Sequence, residues 1–150
     1  MEKSILQLQS IIDNYGNQLD VLNEAQWTDK PNPAKWSRKE VLGHLIDSAQ
    51  NNIRRFVVAQ YEDKPKIVYA QDFWVTAANY HNYLTNDLVT LWRLLNRHIC
   101  LVLKNIPDNA EERLCDTGEL RSIEWLASDY NKHLLHHLHQ ILNLEPAAYS

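Results

Sequence analysis

Four of the chain's seven histidines fall within residues 133–141, which read His-Leu-Leu-His-His-Leu-His-Gln-Ile. Histidine is a mediocre helix former, so packing alone does not ask for it at this density. Imidazole binds transition metals, moves protons near neutral pH, or satisfies one buried hydrogen bond. Spacing decides which of these a cluster can do. On a helical wheel of about 100° per residue, with His133 at zero, Leu134, Leu138 and Ile141 fall near about 80–140°. His133 and His137 lie near 0° and about 40°, at one edge of that apolar arc. His136 and His139 point near about 300° and 240°, away from it. The inward pair is one turn apart, a spacing at which two imidazoles can hold one ion.

A candidate third ligand lies in "WSRKEVLGHLIDSAQNNIRRF". Val41, Leu42, Leu45, Ala49 and Phe56 form an apolar arc there, and Glu40, His44, Ser48, Asn51 and Arg55 repeat along its border at helical steps. His44 thus sits as His133 does, at the margin of a core-facing stripe. A lone histidine at such a margin is equally well read as a core residue satisfied by one hydrogen bond. Three of them on two facing stripes favour an ion. Other chemistries fit less well: there is no HExxH of the helix-borne zinc proteases, no ExxH of the di-iron bundles and no CxxCH for haem. Cys100, at apolar helical spacing, reads as buried filler.

These residues need helices to position them. Apolar residues Ile5, Leu8, Ile12, Tyr15, Leu19 and Leu22 predict a helix over about residues 3–23. Ser37 and Glu40 form a capping box that starts a second at about residue 38, running to about 60. A third spans about 84–105, ending before Pro107, and a fourth is capped by Ser122 and runs to about 144. Three glycines and five prolines are too few to turn a sheet protein of this length. The expectation is an all-α, four-helix bundle in a single domain over residues 1–150. The one long connection, 61–83, is rich in aromatics; it can carry the chain along the bundle or fold over a site.

Composition removes several functions. Net charge is −4, and no basic or basic-aromatic stripe supports nucleic-acid binding. The N-terminal stretch has neither the pattern of a signal peptide nor that of a membrane span. Cys100 and Cys115 form no CxxC pair, and free thiols in the reducing cytoplasm are expected.

The blocks "KWSRKEVLGHLIDSAQNNIRRF", "YAQDFWVTAANY" and "DYNKHLLHHLHQI" together resemble the DinB/YfiT-like superfamily over nearly the whole chain. That resemblance implies a four-helix bundle and metal-dependent hydrolase or thiol S-transferase activity. It also implies one divalent ion, zinc or nickel, held by His44, His133 and His137, the three the wheel selects. The co-substrate it implies is a low-molecular-weight thiol such as bacillithiol, mycothiol or glutathione. A non-catalytic metal- or small-molecule-binding stress-response protein is the alternative, and homodimerisation through helix faces a further expectation. Asp47, three residues after His44, is a candidate to accept its second ring N–H, or else a solvated surface carboxylate. Asn51 and Arg55 are candidates to meet an anionic group, with a structural ion pair the other reading of Arg55. The resemblance places Gln71, Asp72 and Trp74 near the site mouth. An all-histidine ligand set predicts that metal affinity falls as pH drops through about 6.5.

Overall fold

The computed structural model describes residues 1–149. Four long helices form its bundle: α1 (Glu2–Asp20), α3 (Arg38–Val58), α5 (Thr85–Lys104) and α6 (Ile123–Leu142). Between them lie α2 (Glu24–Thr28), α4 (Gln71–Ala78) and a hairpin of β1 (Leu114–Asp116) and β2 (Leu120–Ser122). The ranges predicted from periodicity match the four long helices to within one turn. Ser37 Oγ accepts from the Glu40 amide at 3.2 Å while the Glu40 carboxylate accepts from the Ser37 amide at 3.1 Å. Ser122 Oγ accepts from the Trp125 amide at 3.1 Å and so caps α6.

Both α1 and α3 pack on α5 and on α6. The first two long helices therefore sit across a diagonal, and α3 and α6, which carry the candidate histidines, are neighbours. Leu8, Leu42, Phe56, Trp92, Ile99 and Leu138 are fully buried between the helices. No helix among the described residues is long and apolar enough to cross a membrane.

The middle of α3, from Val41 to Ala49, is buried on every side. Two faces meet α5 and α6; the remainder is covered by α2, α4 and the 3₁₀ turn Tyr80–Asn82. Gly43 makes that cover possible. A Cβ at this position would lie 2.1 Å from Tyr80 Cδ2, so only glycine lets the tyrosine ring rest against the helix backbone.

The hairpin is not predicted from the sequence. Its turn is short, with Gly118 at φ +106° and its amide donating to Asp116 Oδ1 at 2.9 Å. It also gathers in the long connection: the Asp116 amide donates to Pro65 O and the Ile67 amide to Asp116 O, both at 2.9 Å. The connection is thereby fixed alongside the hairpin before it enters α4.

Candidate metal centre

α3 presents His44 and α6 presents His133 and His137, one turn apart. The ligand-capable nitrogens of the three all lie within 4.8 Å of one another. His44 Nε2 and His133 Nε2 are 3.1 Å apart. Two imidazoles bound to one ion at about 2.1 Å, near a tetrahedral angle, stand roughly 3.4 Å apart. That pair is thus already at ligating separation. Bringing a pair from 4.8 Å to that separation takes a side-chain shift of roughly 1.5 Å.

The outer nitrogens have different surroundings. His137 Nδ1 lies 2.9 Å from Gln140 Oε1, one turn on. An amide oxygen only accepts, so Nδ1 carries the proton and Nε2 keeps its lone pair for an ion. His133 Nδ1 faces Ser48 Oγ at 3.4 Å. His44 Nδ1 is buried and has no partner among the described residues. The Trp36 ring lies 5.2 Å from that of His44.

Burial, and then the neighbouring imidazole of His137, pushes His44 down to about 4. Burial, followed by His137 and His44, takes His133 down to about 3. His137 is lowered too, chiefly by burial. All three are therefore neutral at pH 7, the form that binds a metal.

A cavity of about 420 Å³ opens on this cluster, lined by His133, His136 and His137 from α6 and by Ser48, Asn52 and Arg55 from α3. Its other walls are Val68, Tyr69 and Gln71 of the connection, Thr117 of the hairpin, Asp129 and Tyr130 of α6, and Tyr149. Gln71 is thus placed at the cavity, as expected. Trp74 and the exposed Asp72 are not; α4 turns Trp74 into a separate depression with Phe73, Tyr80 and Tyr83.

Two other candidates, Asp47 and Asn51, need correction, and Arg55 loses its alternative reading as a structural ion pair. Asp47 makes no hydrogen bond to His44 and is no surface carboxylate: it is 2% exposed, and its Oδ1 accepts from the Tyr80 hydroxyl at 2.5 Å. Burial raises its pKa to about 6 against the opposing hydrogen bond from Tyr80. Asn51 is buried away from the cavity, its amide donating to Asp47 O at 2.9 Å. Arg55 makes no ion pair among the described residues and meets neutral acceptors instead.

The outward histidines are not simply solvated. His136 lines the cavity with its ring 4.9 Å from that of His137. His139 Nε2 lies 2.6 Å from the Tyr15 hydroxyl and its Nδ1 2.7 Å from Glu145 O, tying α6 to α1 and to the C-terminal segment. Sequence reasoning gave no role to Gln140, Ser48, Tyr69, Asp129 or Tyr149. For Gln140 a signal existed, since it follows His137 by three residues on one helix.

The fold is a four-helix bundle, and the histidines it gathers lie between two adjacent helices. The chain belongs to the DinB superfamily, whose sequence profile matches residues 7–141. YfiT from Bacillus subtilis, a probable metal-dependent hydrolase with an unusual four-helix bundle topology, superposes with a TM-score of 0.85 at 21% identity; the match covers 95% of this chain and 83% of that one. The mycothiol-dependent maleylpyruvate isomerase superposes with a TM-score of 0.78 at 13% identity, over 98% of this chain and 61% of that one. A histidine-to-alanine variant of such an isomerase gives 0.80 at 11% identity, over 97% and 61%. This chain therefore spans about three fifths of the isomerase. At these identities the likeness is one of fold. No curated protein matches the sequence.

Proposed function

We propose that this chain is a divalent-metal-dependent enzyme of small-molecule chemistry. In this reading His44, His133 and His137 hold one zinc or nickel ion, and the reaction is transfer of a low-molecular-weight thiol to an electrophile. The observation that carries it is the convergence of three imidazoles, all neutral at pH 7, beside a cavity of about 420 Å³. Three histidines leave the charge of a divalent ion uncompensated and a coordination position open. An ion bound there supplies Lewis acidity, lowering the pKa of a thiol or water in that position.

The chain's own residues do the rest. Gln140 fixes the tautomer of His137, and Ser48 faces the outer nitrogen of His133. Tyr69, Tyr149 and Val68 supply the larger side chains of the cavity wall facing α3 and α6 residues. The mycothiol dependence of the structurally similar isomerase supports thiol chemistry. The same ligand set serves hydrolysis, which the likeness to YfiT supports as a second reading.

Metal analysis of the purified, untagged protein tests the centre, with about one zinc or nickel per chain expected. Metal-loaded protein is then incubated with small thiols and an electrophile panel, and separately with esters and amides. Mass-detected thiol conjugates are the expected product, and hydrolysed esters or amides would select the second reading. Stoichiometric metal with no turnover in either panel would make the protein a binder. Absence of metal after reconstitution would remove the proposal.

A further inference from the structure

Arg55 stands half-buried in the wall of the cavity that His133 and His137 also line. No carboxylate lies within ion-pair distance of it among the described residues. A partly buried cation without a counter-ion costs free energy, and arginine cannot escape the cost by losing its proton at neutral pH. The surroundings hold the guanidinium in place without neutralising it. Nε and Nη2 both donate to Ile67 O, at 3.2 and 3.1 Å, and Nη1 donates to Asn52 Oδ1 at 3.4 Å. The Tyr69 ring lies beneath, with its centroid 5.8 Å from Cζ. A guanidinium has five N–H groups; these three bonds leave two uncommitted.

The acid that shares the cavity makes no ion pair with Arg55. Asp129 accepts from the Tyr149 hydroxyl at 3.3 Å and feels the positive charges of Lys132, Arg121 and, least of the three, Arg55. The cavity thus contains one fixed and oriented cation that no carboxylate pairs with directly. Two free N–H groups on a planar fork match the two oxygens of a carboxylate. A doubly charged phosphate would meet only one cation and would be repelled about twice as strongly as a carboxylate by Asp129, whose charge Arg55 feels.

We propose that Arg55 is the receptor for a carboxylate, so that the cavity takes a small molecule with a metal-binding head and a carboxylate tail. The inference rests on the metal centre proposed above, and it narrows the class of molecule that centre acts on.

Cobalt(II)-loaded protein is titrated with two thiols of equal length, 3-mercaptopropionate and 3-mercapto-1-propanol, following the sulfur-to-cobalt charge-transfer band. A longer pair, 6-mercaptohexanoate and 6-mercapto-1-hexanol, tests the span from metal to Arg55. In at least one pair the acid is expected to bind about tenfold more tightly than the alcohol. Arg55→Gln should abolish that preference while leaving cobalt affinity unchanged, and Arg55→Lys should restore part of it. Equal binding of acid and alcohol in both pairs would overturn the proposal, as would a preference that survives Arg55→Gln. A separate titration of metal-free, ¹⁵N-labelled protein with propionate, reading the Arg55 Nε–H resonance, separates the two readings. A saturable shift there with no cobalt binding would sink the metal centre and keep the carboxylate receptor. Cobalt binding with neither an acid preference nor a propionate shift would do the reverse.

Discussion

His133, His136 and His137 share two turns of α6, yet only His133 and His137 present their rings to His44, with centroids 5.0 and 4.8 Å away. His136 meets His137 edge-on at 4.9 Å and lies 5.7 Å from the Tyr149 ring. His133→Ala or His137→Ala should therefore remove one of three proposed bonds to the ion and weaken binding by orders of magnitude. His136→Ala should keep metal affinity to within a few-fold, because the ring it deletes only lines the cavity. Isothermal titration of the three variants, with folding checked by circular dichroism, decides this. Loss of binding on deleting His136 but not His137 would overturn the ligand set. Gln140 makes a finer test at the same scale. Gln140→Leu removes the acceptor at Nδ1 of His137 and frees the ring to turn, so affinity should fall by about 10–100-fold. Unchanged affinity would show that the orientation of His137 owes nothing to that hydrogen bond.

At the scale of elements, the four long helices were legible because each carries a 3.6-residue apolar period and two carry serine caps. The wheel also told His133 and His137 from His136, since helix phase is a local property. The cover on α3 was not legible. Asp47 could read as a solvated carboxylate and Asn51 as a contact for an anionic group because nothing local announces that this stretch of α3 is covered, with Tyr80 seated on Asp47. The hairpin escaped notice because its strands are three residues each, too short for a period, although Asp116-Thr117-Gly118 is turn chemistry. Gly43 was the remaining clue: a glycine inside a helix weakens it by about 1 kcal/mol relative to alanine, which calls for a packing reason. Gly43→Ala tests that reason. Propensity alone predicts stabilisation of about 1 kcal/mol, whereas the clash with Tyr80 predicts a net loss, on the order of 1–3 kcal/mol. The melting temperature should therefore fall by roughly 2–12 °C; a rise would show that Tyr80 is not seated on the helix as described.

For the molecule as a whole, burial of the histidine cluster couples folding to pH. In the unfolded chain these histidines titrate near 6.5, whereas in the folded one His44 is held down to about 4 and His133 to about 3. Between those values the unfolded state binds more protons, so stability rises with pH across the window. The contribution is fully present above about 6.5 and is lost as pH falls toward 4. Asp47 works against it: its carboxyl is raised from 3.8 to about 6, so between those values the folded state binds the extra proton and is favoured by acid. One carboxyl shifted by about two units opposes at least two imidazoles shifted further, and the histidines prevail. Urea midpoints of the metal-free protein should fall steadily from about pH 6.5 to pH 4.5, and His133→Gln should flatten that slope. The same burial revises the expectation for the ion. Because protons compete poorly for these imidazoles, metal affinity should hold below the ordinary histidine range and fall only as pH approaches about 4, the value to which burial lowers His44. Zinc competition titrations from pH 4.5 to 7.5 on protein whose folding is monitored in parallel would show it, using roughly half-unit steps. An affinity that collapsed near pH 6.5 while the chain stayed folded would mean that the cluster is more open to water than its packing between α3 and α6 implies.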